Sequence, residues 1–249
     1  MHQRPGKSPR FYRYEHRHEA DWISFQASYR ETDLWVRAKK DLRKEAITSV
    51  LNLRHQLEQH ITRSPGFLHA LQPLPDDPAA PEIVQTMLRA SRLAGVGPMA
   101  AVAGAIAQTV AESLRPSSPG IIVENGGDCY LDLPEDATVG VYAGPNSPFK
   151  GKIALHFSAE NFPLSICTSS GKIGHSRSFG NADAVTVVAK EGALADAAAT
   201  ALANLVRSPA DIAAALHRAR QISPILGVLI IIEDKLGIWG DLELVSPPV

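Results

Sequence analysis

Asp196 and Thr200 stand four residues apart in Ala195-Asp-Ala-Ala-Ala-Thr. On a helix that spacing puts a carboxylate and a hydroxyl on one face. Both are hard oxygen donors suited to Mg²⁺, which takes few protein groups and keeps waters or phosphates. Asp196 is expected in the first turn of its helix, where a carboxylate also complements the macrodipole. Two further segments offer ligand contacts. Glu124-Asn125-Gly126-Gly127-Asp128 combines flexible backbone amides with a carboxylate, and Asn-Gly is equally a hairpin-turn dipeptide. Cys167-Thr168-Ser169-Ser170-Gly171-Lys172 offers hydroxyls, a glycine and a cation to a phosphate. It lacks the first glycine and the spacing of a P-loop. His175 follows in Gly174-His-Ser and is a candidate general acid or base, although a lone loop histidine is also commonly structural. Cys167 ends a strand beside these amides, where a thiolate gains stabilisation, or it is a small buried strand residue.

The elements that must position these groups follow from periodicity. Trp22 to Tyr29 alternates apolar and polar residues and pairs as a hairpin with Leu34–Ala38. Leu42, Ala46, Val50, Leu53, Leu57 and Ile61 recur at helical spacing, and Ser64-Pro65-Gly66 ends that helix. Four prolines between Gln72 and Pro81 mark a surface connection. A second helix carries Ile83 to Leu93, and a third, alanine-rich, spans Met99–Leu114. Strands are predicted at Ile121–Glu124, Cys129–Leu133, Val139–Ala143, Ile153–Phe157, Leu164–Cys167 and Ala184–Ala189. Helices return at Leu194–Val206 and Ala210–Arg220, and strands Ile225–Ile232 and Leu242–Val245 close the chain, with Asp234-Lys-Leu-Gly between them. Strands and helices come in runs, which predicts α+β with a mostly antiparallel sheet.

The 249 residues are 45% hydrophobic and 20% charged with a formal net charge of −1, an ordinary globular balance with no pull towards nucleic acid or an anionic membrane. Residues 1–20 are basic, hold Pro5, Gly6 and Pro9, and read as a flexible tail; residues 21–249 read as a single domain. Two cysteines make no disulfide framework, and the longest apolar run near the C-terminus, Ile225–Ile232, is too short for a bilayer, so a cytoplasmic protein is expected.

Several of these segments together resemble the ApbE-like superfamily, and most closely its UPF0280 branch. They are Gly95-Val-Gly97-Pro-Met-Ala-Ala-Val-Ala-Gly, Glu124-Asn-Gly-Gly-Asp, Cys167-Thr-Ser-Ser-Gly-Lys-Ile-Gly-His-Ser, Ser178-Phe-Gly-Asn-Ala-Asp-Ala-Val-Thr-Val-Val-Ala and Ala195-Asp-Ala-Ala-Ala-Thr. The resemblance implies a T-fold-like architecture and a flavin or other nucleotide ligand, FAD or FMN, bound with Mg²⁺. By motif, Asp196 and Thr200 match the metal-binding pair. Gly126, Gly127 and Asp128 match the Gly-Gly-Asp beside the dinucleotide, and Thr168, Ser170 and Gly171 match the Thr-Ser-Gly loop. Gly97, Asn125, Ser169 and Lys172 are read with them as ligand contacts. FAD:protein FMN transferases carry a lysine where this chain has Ala103 and an aspartate where it has Gln108, and their His-Ile-Ile-Asp-Pro segment is absent. Three readings follow: a metal-dependent flavin or nucleotide transferase or pyrophosphatase, a binding module without chemistry, and a part in anaerobic sulfur assimilation through Cys167. A homodimer is also expected, because sheets of this type assemble.

Overall fold

A computed structural model describes residues 21–171 and 179–247. The basic tail, Lys172 and His175 lie outside the described residues. An eight-stranded sheet is built from β1 (Ile23–Tyr29), β2 (Thr32–Ala38), β3 (Ile121–Asn125), β4 (Asp128–Asp132), β7 (Leu164–Ser169), β8 (Ala184–Ala189), β9 (Ile225–Ile232) and β10 (Lys235–Gly240), in that spatial order. A smaller sheet has the order β11 (Glu243–Val245), β6 (Ala154–Phe157), β5 (Ala137–Gly140). Every strand pair among the described residues is antiparallel, as the runs of strands predict.

Strand alternation sorts the large sheet into two faces. Phe25, Leu34, Val36, Ile121, Val123, Val185, Val187, Val228 and Ile230 point into a core shared with the helices. Leu131, Leu164, Ile166, Val188, Leu229 and Ile231 point the other way, onto Leu155 and Phe157 of the small sheet. The helices are α1 (Arg43–Arg63), a single turn α2 (Gly66–His69), α3 (Glu82–Ala94), α4 (Val102–Leu114), α5 (Gly192–Leu205) and α6 (Ile212–Ala219). The predicted long stripe of α1 is observed: Ala46, Val50, Leu53 and Leu57 are buried. A 3₁₀ turn at Pro98–Ala101 leads into α4. No single helix among the described residues is long and apolar enough to cross a membrane.

Two expectations are corrected. Asp234–Gly237 is not a connection between the last two strands. Only Glu233 and Asp234 turn, with Glu233 at φ +55°, and Lys235–Gly240 is a strand paired with β9. Its two glycines and single charge hide the alternation that marks the other strands. The helix carrying Asp196 begins at Gly192, so Asp196 lies in its second turn rather than its first. Its carboxylate therefore serves a different helix terminus, described below.

Candidate functional site

The β3–β4 hairpin closes on Gly126-Gly127, with Asn125 and Asp128 as register partners. Both glycines have positive φ, 75° and 112°, the backbone of a two-residue primed turn. The hairpin reading of Asn-Gly-Gly-Asp thus holds, and the turn also places Asp128 at the start of β4. Across the next ladder Asp128 pairs with Cys167 of β7. Alternation puts Asp128, Tyr130 and Cys167 on the helix-covered face.

The helix facing them is α5. Ten of its residues are buried, eight of them Ala or Gly, so its backbone lies close to the sheet and to α4. Only Asp196, Thr200, Asn204 and Leu205 are left open to any degree, and the first three recur every fourth residue. That polar stripe runs along an otherwise apolar helix, and it carries the predicted Asp196/Thr200 pair.

Asp196 reaches α4. Its Oδ2 accepts the backbone N–H groups of Ala103 and Gly104, each at 3.0 Å. These belong to the first turn of α4, whose donors have no partner within their own helix. The carbonyl of Ala103 accepts the Asn125 side-chain amide at 3.1 Å. One peptide segment therefore joins the Asn-Gly-Gly-Asp turn to the Asp196 helix. The sequence reading compared position 103 by its side chain; its contribution here is its main chain, which no residue-type signal reports.

Among the described residues no side-chain cation pairs with Asp128 or Asp196. Burial pushes the Asp196 carboxyl up to about 7, against the lowering effect of the Gly104 and Ala103 amides. Burial also raises Asp128 well above the ordinary range, helped by the neighbouring Asp196 and Glu124 charges and opposed by the Cys167 thiol and the Thr168 backbone. Desolvation and like charge both disfavour the ionised forms. A divalent cation would relieve that cost, and the oxygen donors of Asp196 and Thr200 fit Mg²⁺. No group of three or more His, Cys, Asp or Glu side chains able to hold a metal occurs among the described residues, so the donor set is a sparse one.

The remaining predicted residues divide. Thr168 contributes its backbone to Asp128, but its side chain turns to the other face of the sheet and shares a 2.9 Å hydrogen bond with Thr186. Its hydroxyl is thus occupied away from Asp196, because successive residues of β7 alternate. Ser169 is buried at the end of β7. Ser170 donates to the Ala182 carbonyl at 3.4 Å, and the Gly171 N–H donates to the same carbonyl at 3.0 Å. Gly171 is held by packing: a Cβ there would sit 2.0 Å from the Gly180 carbonyl oxygen. Gly97 is also explained by packing, since a Cβ would meet the Ala70 oxygen at 1.7 Å. Asn204, the third residue of the α5 stripe, accepts the Phe179 N–H at 2.8 Å. Sequence reading missed it, and the i, i+4, i+8 recurrence from Asp196 is the signal that marks it.

Cys167 is fully buried, and its thiol donates to the Gly192 carbonyl at 3.7 Å. Burial, then the Asp128 and Asp196 charges, push the thiol well above its ordinary value. That is the opposite of an activated thiolate. Cys129 is only half-buried. At neutral pH iodoacetamide is expected to label Cys129 first and Cys167 only on unfolding, as read by peptide mass mapping. Rapid labelling of Cys167 in the folded protein would favour a sulfur role over a structural one.

With this geometry in view, the relatives place the chain. Residues 14–228 match the family described as AbpE bacteria. The UPF0280 protein MJ1526 of Methanocaldococcus jannaschii is 41% identical over 232 residues, covering 90% of this chain and 94% of that protein. The chain belongs to the ApbE-like UPF0280 family. A second UPF0280 protein, MK0206 of Methanopyrus kandleri, is 42% identical over 87% of this chain and 90% of its own length. Among solved structures, the apo flavinyl transferase ApbE of Pseudomonas stutzeri superposes with a TM-score of 0.58 at 14% identity, covering 88% of this chain and 93% of that one. The UPF0280 chain thus has the ApbE fold.

Proposed function

We propose that this protein binds a flavin nucleotide, FAD or FMN, or a related nucleotide, together with Mg²⁺ held by Asp196 and Thr200. The observation that carries the reading is a pair of neighbouring carboxylates, Asp196 seated on the first turn of α4 and Asp128 buried beside it, with no side-chain ion pair to either among the described residues. The ApbE fold supports it, as does the flavinyl transferase activity named for the Pseudomonas stutzeri protein. A bound Mg²⁺ would supply neutralisation of phosphate charge. Asn125, Gly126 and Gly127 would present the turn to the ligand, with Asp128 accepting a ribose or base hydrogen bond. Ser169, Ser170 and Gly171 would border the phosphates beside Lys172, and His175 would serve as general acid or base. Of the Thr168 contacts, the main chain faces this centre and the hydroxyl does not. Two cysteines that are not joined in a disulfide suit a reducing compartment such as the cytoplasm. The end strands β1 and β10 offer edges for a homodimer.

Fluorescence titration of FAD with and without Mg²⁺ tests the reading. Binding that requires Mg²⁺ in the wild type and is lost in Asp196→Asn is the expected result. No binding of FAD or FMN in either condition would remove the flavin assignment. Incubation of FAD and Mg²⁺ with the protein then separates enzyme from module. AMP release that His175→Ala abolishes marks an enzyme, and tight binding with no AMP marks a binding module.

A further inference from the structure

Neither of the two crossing helices caps its own N-terminus. Ala101 at the start of α4 makes no side-chain cap hydrogen bond, and neither does Glu191 at the start of α5. Each helix instead borrows an acceptor from the other. Asp196 of α5 takes the Ala103 and Gly104 N–H groups, and Gln108 of α4 takes the Gly192 N–H on its Oε1 at 2.6 Å. The exchange is symmetric in sequence. Gln108 lies four residues after Gly104, and Asp196 lies four residues after Gly192. At the crossing the two glycines meet backbone to backbone. A Cβ on Gly104 would lie 2.1 Å from the Gly192 oxygen, and one on Gly192 would lie 2.4 Å from the Gly104 oxygen.

We infer that Gln108 is a positioning residue for Asp196, setting the carboxylate against α4 without touching any ligand itself. Gln108 fixes the first residue of α5, and Asp196 sits one turn further along the same rigid helix. The Gln108 amide is itself oriented, because its Nε2 donates to Glu112 Oε1 at 2.8 Å and so turns Oε1 towards Gly192. Removing the acceptor leaves the Gly192 N–H without a partner and frees the start of α5 to shift. Asp196 then loses its register with Ala103 and Gly104. Partners behind a ligating side chain commonly change metal affinity about 10- to 100-fold when lost. The effect on a cation rests on the metal reading proposed above; the effect on the amides does not.

The test compares wild type, Gln108→Met and the paired exchange Gln108→Glu with Glu112→Gln. Met keeps the length and removes the acceptor, and the paired exchange keeps the acceptor at 108 and its orienting hydrogen bond to 112 with the donor reversed. Two readings are taken: amide hydrogen exchange at Ala103 and Gly104, and Mn²⁺ affinity from the electron paramagnetic resonance signal of the free ion. In Gln108→Met, exchange at both amides is expected to rise and Mn²⁺ affinity to fall, each about tenfold, while amides of α1 keep wild-type protection. Gln108→Glu with Glu112→Gln is expected to restore both, which a general loss of packing would not allow. Gln108→Ala gives the same readings if the Met variant does not fold. Wild-type protection of Ala103 and Gly104 in the acceptor-free variants, or failure of the paired exchange to restore it, overturns the inference. If the wild type binds no Mn²⁺ but the amides loosen as expected, the positioning role stands and the cation reading falls.

Discussion

Asp196→Asn is expected to keep wild-type stability and abolish Mg²⁺ binding, whereas Asp196→Ala is expected to lower the melting temperature as well. The carboxylate has one role visible in the structure and one proposed for it, and the two substitutions separate them. Its Oδ2 accepts two N–H groups of the first turn of α4. The Asn side-chain oxygen can accept the same pair, because the amide has the shape of the carboxylate. The negative charge is gone, and with it the attraction for a divalent cation. The charge is also costly in the free protein, since burial holds the Asp196 carboxyl near 7 and Asp128 stands beside it. Above that pH a neutral isostere relieves repulsion, so Asp196→Asn should melt at or above the wild-type temperature in EDTA. Asp196→Ala leaves two buried donors unpaired at about 1 kcal/mol or more. For a chain of this length each kcal/mol lowers Tm by roughly 2–4 °C. Thermal melts with EDTA and with Mg²⁺ read both effects. The assignment fails if Asp196→Asn is as unstable as Asp196→Ala, or if Mg²⁺ still raises its Tm.

Gly104→Ala should be among the most destabilising single-methyl additions in the molecule. The new Cβ would sit 2.1 Å from the Gly192 oxygen and 2.9 Å from Asp196 Cβ. The first contact is with backbone, which cannot swing aside, so α4 and α5 must separate. Overpacking of this kind costs about 1–3 kcal/mol and occasionally more, and here the displaced element carries Asp196. A fall in Tm of roughly 5–10 °C is expected by the same scaling, with Mg²⁺ affinity falling alongside it. Gly66→Ala is the control. Nothing lies within 4 Å of its Cβ position, so a neutral change or a gain of about 0.4–1 kcal/mol is expected. Equal melting of Gly104→Ala and wild type would show that the helices adjust without strain.

Much of this was readable before any coordinates. Hydrophobic periodicity located α1 and most strands, because one buried face imposes a repeat. The i, i+4 spacing put Asp196 and Thr200 on one face of α5, and Asn-Gly-Gly-Asp read as a turn. Three things were not legible. The helix start at Gly192 was hidden because Gly and Ala carry no amphipathic signal. The sidedness of Thr168 depends on the strand's pleat, and the two residues after it, Ser169 and Ser170, are both hydroxyl residues that give no apolar alternation. The exchange of acceptors between Gln108 and Asp196 is a relation between residues 88 positions apart, and nothing local to either residue announces it.

Ala103 is fixed in the site through its N–H, held by Asp196, and its C=O, held by Asn125. Both are groups that every residue except proline supplies. Its methyl side chain carries none of this linkage and is only half-buried. The scaffold is therefore indifferent to identity at position 103 in a way it is not at Gly104 or Asp196. A side chain of another chemistry could stand at position 103 without disturbing the hydrogen bonds that hold the two helices and the turn together.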